Sequence, residues 1–226
     1  TTPDGRQLTK TVTIPVQIGD PEIARTSRFT LAAGKSFSFD ADVFADLRSG
    51  TGTATLSVGP LARFDAPGLL QALDRYPYGC TEQVTSRALP LLYFDQVAEV
   101  MGLATRDQVA LRINQAIAEV LTNQSSNGAF GLWRADTGDF WLDAYVTDFL
   151  GRARTLGFTV PDLAFRQALN NLRNQVNYAP DFDEGGQEIA YALFVLAREG
   201  AAATGDLRYY AVVKGDAFST PLAAAQ

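Results

Sequence analysis

The sequence predicts a mostly α-helical protein: an incomplete α/α toroid of antiparallel helix hairpins, preceded by a small antiparallel β segment. Three observations carry this. The apolar pattern changes from a two-residue to a helical period near residue 65. Beyond that point capped helical stretches follow one another across short loops, as antiparallel hairpins do. Gln124-Ser-Ser-Asn-Gly128-Ala-Phe130 adds the Gln-x-x-x-Gly-x-aromatic spacing that recurs in toroid loops.

The β segment rests on alternation. Lys10-Thr-Val-Thr-Ile-Pro-Val-Gln-Ile18, Ser36-Phe-Ser-Phe39 and Thr53-Ala-Thr-Leu-Ser-Val58 alternate apolar and polar residues. Gly34 and Gly50-Thr-Gly52 supply turn signals between them, and Pro15 assigns the first run to a sheet edge. So few strands predict an incomplete sheet, a partial β domain over residues 1–65 ahead of a helical domain over 66–226.

The helices follow in order. Asp65 and Pro67 open a short one that ends before Pro77. A second runs from Thr81 to Val100, kinked near Pro90 and closed by Gly102. Thr105-Arg-Asp-Gln108 has capping-box spacing, and Ile113, Ile117, Val120 and Leu121 form the apolar stripe behind it. Further helices are expected at Phe140–Leu156 before Gly157, Asp162–Val176 behind Pro161, Gln187–Glu199 before Gly200, and Asp206–Val213. Ser219-Thr-Pro-Leu222 has the form of a helix start with no helix after it, and Thr1 reads as the start of an excised piece. The expectation is a fragment of a longer protein.

Composition narrows the function. The net charge is −6 and the basic residues are scattered, which argues against nucleic acid, held mainly through clustered Lys and Arg. The longest apolar run, Ala190–Ala197, is too short to span a membrane, so no direct membrane contact is expected. A single Cys excludes an internal disulfide framework and a cysteine-rich zinc site. There is no His, which removes the usual metal ligand, the usual general base and every Cys–His or Ser–His pair. No metal and no separate cofactor are expected.

The one Cys stands in Cys80-Thr81-Glu82-Gln83. Given one Cys, Glu and Gln at those two offsets arise by chance on the order of a few times in a thousand. At i and i+3 of a helical turn the two side chains share a face, so the Cys80 sulfur can reach the Gln83 carboxamide carbon. Loss of ammonia would then close an internal thioester between them, turning an inert amide into an activated acyl donor. Such a bond must be hidden until it is needed and then exposed within reach of its target. Tyr76 and Tyr78, in the rigid Tyr-Pro-Tyr-Gly79 entry, are placed to shade it. The plain alternative is a small buried Cys at a helix start. Glu82 reads as an acid favoured by the helix dipole in a first turn rather than as a catalytic group.

Tyr76-Pro-Tyr-Gly-Cys-Thr-Glu-Gln83 resembles the thioester segment of bacterial alpha-2-macroglobulins, with Thr81 where Leu is common. Gly128-Ala-Phe-Gly-Leu-Trp133, Trp141-Leu-Asp-Ala-Tyr-Val-Thr-Asp-Phe-Leu150 and Ile189-Ala-Tyr-Ala-Leu-Phe-Val-Leu-Ala197 are similar to further stretches of that family's thioester domain. The resemblance implies that residues 1–65 are the first part of the CUB-like β domain flanking the helical one. It also implies a broad-range, single-use protease trap. A protease cuts a bait segment elsewhere, the thioester is uncovered, and a protease Lys amine attacks the Gln83 acyl carbon while Cys80 leaves. The implied partners are proteases and the other domains of the full-length protein. The implied location is the periplasm, with a lipid anchor at the inner membrane. Trp133 and Trp141 would join Tyr76 and Tyr78 as shielding. Members that favour hydroxyl targets use a His that would fall near Asn177–Glu184; this chain has an acidic loop there, so amines are the expected targets.

Other patterns stay in view. Asp181, Asp183 and Glu184 could assist proton transfer, or be a solvated acidic loop ahead of a helix. Asp181-Phe-Asp183 also has the look of a terpene-cyclase acid, although Glu184 breaks that pattern. Phe130, Trp133, Phe140 and Trp141 could line a pocket or form core between hairpins. A thiol peptidase on Cys80 lacks an imidazole, and Asn123-Gln-Ser125 matches a glycosylation sequon that the bacterial resemblance makes accidental. An adhesive or structural thioester domain is the alternative of a different class.

Overall fold

The computed structural model describes residues 2–7, 9–13, 19, 23–56, 58, 66–74, 76, 78–93, 95 and 105–226. The chain divides into two compact units, residues 1–52 with 59–62, and residues 53–58 with 63–226.

In the first unit a 3₁₀ turn forms at Ala41–Phe44 because the Asp40 carboxylate accepts from the Asp42 N–H at 3.1 Å. Arg25 pairs with Asp46 at 3.0 Å, and the Phe29 and Phe37 rings lie 4.4 Å apart. No strand occurs among the described residues, so the expected antiparallel segment is not shown. Gly34 does turn the chain, at φ 78°. Phe37 and Phe39 alternate as expected, yet each is about half exposed. A two-residue period makes a strand only where a neighbour takes its hydrogen bonds and a core takes its apolar face. Residues 14–18 of the first expected strand, and the expected helix cap Asp65, lie outside the described residues.

The second unit is helical. Its described elements are α1 (Ala66–Asp74), α2 (Thr81–Leu91), α3 (Arg106–Thr122), α4 (Phe140–Thr155), α5 (Asp162–Asn177), α6 (Gln187–Arg198), α7 (Thr204–Val212) and α8 (Pro221–Ala225). Local chemistry sets most of their ends. Thr105 and Gln108 form the expected capping box of α3, and the Asp139 carboxylate caps α4 by accepting from Leu142 N–H at 3.1 Å. Gly157 and Gly200 follow α4 and α6 with φ of 90° and 67°, the left-handed exit that glycine makes without strain. Two ends differ from expectation. α2 stops at Leu91, where the Tyr93 N–H turns back to the Pro90 carbonyl at 3.0 Å and closes a tight turn one step after the proline. Residues 94 and 96–100 of that expected helix, and the Gly102 expected to close it, lie outside the described residues. Ser219-Thr-Pro-Leu222, in turn, does carry a helix. Thr220 caps it by accepting from Ala223 N–H at 3.1 Å, Pro221 sits at its first position, and Ala223 is buried.

Packing follows an alternating rule. α2 lies against α4, α4 against α6 and α6 against α8, while α3 covers α2, and α5 covers both α4 and α6. Helices thus alternate between an inner row and an outer row, the arc of an α/α toroid. α4 is the centre of the arc and is buried on nearly every side. Its Leu142, Val146, Phe149 and Leu150 enter one core with residues of α2 and α3 such as Val84, Ala88, Ile113 and Val120. Its Ala144 faces a second core built by α5 and α6 around Leu172, Leu193, Val195 and Leu196.

The Gln124–Phe130 pattern ties the loop before α4 to α5. Gln124 Nε2 donates to the Ala164 carbonyl at 2.9 Å, and the Phe130 ring is fully buried. Gly128 has φ 94°, and a Cβ there would run into the Gln167 carbonyl of α5. Both constraints demand glycine. Gly128→Ala should therefore lower the unfolding free energy by about 2 kcal/mol or more, measured by urea titration of the helical circular-dichroism signal.

Candidate functional site

Cys80 is the N-cap of α2, with φ −73° and ψ 159°, and is 7% exposed. Its side chain makes no capping hydrogen bond. The next residue fixes the helix start instead. The Thr81 N–H, one of the orphan donors of a helix N-terminus, donates to the Leu132 carbonyl at 2.8 Å. The buried Thr81 hydroxyl donates to the Gly131 carbonyl at 2.6 Å and accepts from Asn123 Nδ2 at 2.9 Å. Threonine at a position where the resemblance expects leucine thus exchanges apolar packing for a polar clamp between α2 and the loop leading to α4.

That loop is itself held from below. The Gly131 N–H donates to the Asn123 carbonyl at 3.0 Å, and the Phe130 N–H donates to Asp143 Oδ1 at 2.6 Å. Asp143, buried on α4, also accepts from Asn171 at 2.8 Å and Gln175 at 2.6 Å, both on α5. Burial pushes its carboxyl pKa up, and the three hydrogen bonds offset part of that rise.

Gln83 follows Cys80 by three residues, on the same face of the first turn. Its Oε1 is buried and accepts no hydrogen bond. Tyr78, two residues before Cys80, has φ 73°, a conformation uncommon for a large side chain. The expected shielding residues fall in different places. Tyr78 and Trp133 are 77% and 64% exposed, although Trp133 directly follows the Leu132 carbonyl that binds Thr81. Trp141 stacks on Tyr145 at 4.8 Å and lies 6.5 Å from Tyr191, forming an aromatic row along α4 and α6. The Tyr145 hydroxyl is 3.0 Å from Ser86 Oγ, which donates to Glu82 at 2.6 Å. Burial raises the Tyr145 pKa, and the neighbouring acids Glu82 and Asp148 push the same way.

Of the other candidates, Phe130 is core and Phe140 packs against the second core. Asp181 pairs with Lys214 at 2.6 Å, and that ammonium also donates to the Phe182 carbonyl at 2.7 Å, while Asp183 and Glu184 are exposed. No group of metal-ligating side chains occurs among the described residues, and no helix among them is long and apolar enough to cross a membrane. Sequence reasoning passed over Asp143, Tyr145 and Ser86. Asp143 reads locally as another acid in a first helical turn; only its distant partners reveal its role.

Fold and site together define a class: an α/α-toroid domain with Cys-x-Glu-Gln at the start of an inner helix. The chain belongs to the A-macroglobulin TED domain family, whose model matches residues 54–190. It is 28% identical over 217 residues to an alpha-2-macroglobulin of Xylella fastidiosa, covering 91% of this chain and 13% of that protein. Native Escherichia coli alpha-2-macroglobulin, solved from domain MG7 to the C-terminus, matches with a TM-score of 0.59 and 30% identity over 68% of this chain and 26% of that one. Salmonella alpha-2-macroglobulin reacted with methylamine gives a TM-score of 0.60 and 30% identity over 67% of this chain and 11% of that one. The chain therefore spans a small part of the length of the relatives it matches.

Two outcomes are expected. Thr81→Val, which keeps the shape but leaves Asn123 and the Gly131 carbonyl short of a partner, should cost about 1–3 kcal/mol, seen as a lower thermal midpoint. Asp143 has a raised folded pKa, so the folded state holds its proton more tightly than the unfolded chain does. Its contribution is then fully present below the unfolded value and is lost as pH rises through the folded one. The stability of wild type minus that of Asp143→Asn should fall with rising pH across that window and be flat above it, read from urea midpoints at several pH values.

Proposed function

We propose that Cys80 and Gln83 close an internal thioester, and that the full-length protein uses it to trap proteases covalently. The observation that carries this is the pair's setting: a nearly buried thiol one turn from a carboxamide whose oxygen is buried and unpaired. An amide oxygen is a strong acceptor, and leaving it dry and unbonded is costly. A thioester carbonyl is a much weaker acceptor, so the same pocket suits the closed bond better than the open amide.

The chemistry balances simply. The Cys80 sulfur adds to Gln83 Cδ and ammonia leaves. Later a Lys amine of the target adds to the same carbon, the C–S bond breaks, and Cys80 departs as a thiolate that takes up the proton. Gln83 is left joined to the target by an amide, and each molecule reacts once. No His is present in the sequence to carry the acyl group to hydroxyls, so amines are the targets. The Salmonella relative occurs in a methylamine-reacted form and the Escherichia coli relative in a trypsin-activated form, which supports both the nucleophile and the trigger. We place the full-length protein in the periplasm, lipid-anchored to the inner membrane. An adhesive domain would use the same bond on surface amines without a protease.

Intact mass and thiol titration test the bond. The closed chain should be lighter by one ammonia, show no free thiol, and take up methylamine at Gln83 while Cys80 becomes titratable. Glycerol should be incorporated far more slowly. Cys80→Ala should abolish both the ammonia loss and the adduct. In the full-length protein, a covalent protease adduct absent from Cys80→Ala supports the trap; methylamine uptake with no protease adduct would leave the adhesive reading.

A further inference from the structure

The hydrogen bonds beside Gln83 have a direction. An ionised Glu82 can only accept, so the single Ser86 hydroxyl hydrogen goes to Glu82 at 2.6 Å. The 3.0 Å contact between Ser86 Oγ and the Tyr145 hydroxyl must then have tyrosine as its donor. The order is fixed as Tyr145 to Ser86 to Glu82, and the Tyr145 oxygen keeps lone pairs free to accept a proton. Stacking on Trp141 at 4.8 Å orients the phenol. Ser86 stands three residues after Gln83 and four after Glu82, so the three side chains occupy adjoining sectors of α2. The unpaired Gln83 oxygen lies in the same turn. A helix-dipole role accounts for an acid at position 82. It does not account for two hydroxyls queued on that acid from two helices.

We propose that Tyr145, Ser86 and Glu82 form a proton relay for amine exchange at Gln83, with Glu82 as the terminal acceptor. The relay rests on the thioester reading and deepens it. When an amine adds to Gln83 Cδ, the nitrogen carries a proton that must leave before the C–S bond breaks productively. That proton passes to the Tyr145 oxygen as the Tyr145 proton moves to Ser86 and the Ser86 proton to Glu82. Cys80 leaves as a thiolate. Glu82 then returns the proton along the same path, and it ends on the Cys80 sulfur. Amine and thioester become amide and thiol, with nothing else consumed. With ammonia as the amine, the reverse of this sequence is closure of the bond, so one relay serves both directions.

Reversibility supplies the test. Ammonia opens the bond and regenerates the Gln83 amide and Cys80 thiol; removing ammonia allows closure, followed as the mass loss. In the full 226-residue chain, Glu82→Gln, Ser86→Ala and Tyr145→Phe should each slow opening and closure by the same factor, roughly tenfold or more. The ratio of closed to open chain should stay as in wild type, and Ser86→Thr, which keeps a hydroxyl, should restore the rates. Variants that close and open at wild-type rates overturn the relay alone. Variants that change the ratio instead of the rates assign these residues a structural role and also overturn it. A wild-type chain that never loses ammonia overturns the thioester reading, and the relay with it.

Discussion

A buried carboxylate paired only with amide donors holds the helical unit together. Asp143 reaches the loop through the Phe130 N–H and α5 through Asn171 and Gln175, while standing on α4 itself. An ionised group in such a place is costly, and it is tolerated because each partner would otherwise be a buried donor without an acceptor. The cost and the return are inseparable. Shortening the side chain would strand three donors at once, which ties the geometry of the loop to that of the helices. The loop then hands its order on, since its Gly131 and Leu132 carbonyls are what Thr81 grips.

The second buried acid of α4 works differently. Asp148 meets Arg152 at 2.9 Å, Arg198, and the Tyr191 hydroxyl at 2.9 Å. Gly151 leaves the space through which Arg198 and Glu199 approach, for a Cβ there would collide with both. One inner helix thus uses an amide-bound acid to secure the loop and a cation-bound acid to secure the next inner helix. Removing either arginine alone would leave a partly compensated charge, whereas Asp143 has no cation among its hydrogen-bond partners to soften such a loss. The two acids divide the work of joining the inner row, the outer row and the loop.

What was legible in the sequence follows from the range of the interactions. Thr105 with Gln108, Gly157, Pro161 and Gly200 mark helix ends because they act through their own backbone or through neighbours within four residues, and these ends appear close to where the pattern puts them. The Gln124–Phe130 spacing signalled the loop, although the need for Gly128 becomes visible only with the Gln167 carbonyl beside it. Asp143 and Thr81 were opaque for the same reason: their partners stand 13 to 51 residues away. The alternation of Phe37 and Phe39 misled in the opposite sense, since periodicity describes one surface and says nothing of what covers it. Cys80 and Gln83 stand out by their spacing and by the resemblance of the segment around them; that the Gln83 oxygen lacks a partner belongs to the tertiary structure.

The satisfied network and the unsatisfied site belong to one design. Tyr78 holds a left-handed conformation and Gln83 a dry, unpaired oxygen, two local costs within six residues of each other. They persist because Thr81, between them, is bonded through its N–H and hydroxyl to the loop that Asp143 holds, while its carbonyl accepts from the Thr85 hydroxyl of the same helix. Position adds a chemical consequence. Cys80 lies at the positive end of the α2 dipole, a field that on the thioester reading would steady negative charge developing on sulfur as the C–S bond breaks. Glu82, in the same first turn, opposes that field when ionised and relaxes its opposition when it takes a proton. On the thioester reading, proton arrival at Glu82 and departure of the Cys80 thiolate favour each other. On that reading the acid that suits the helix start is coupled to the bond that breaks beside it.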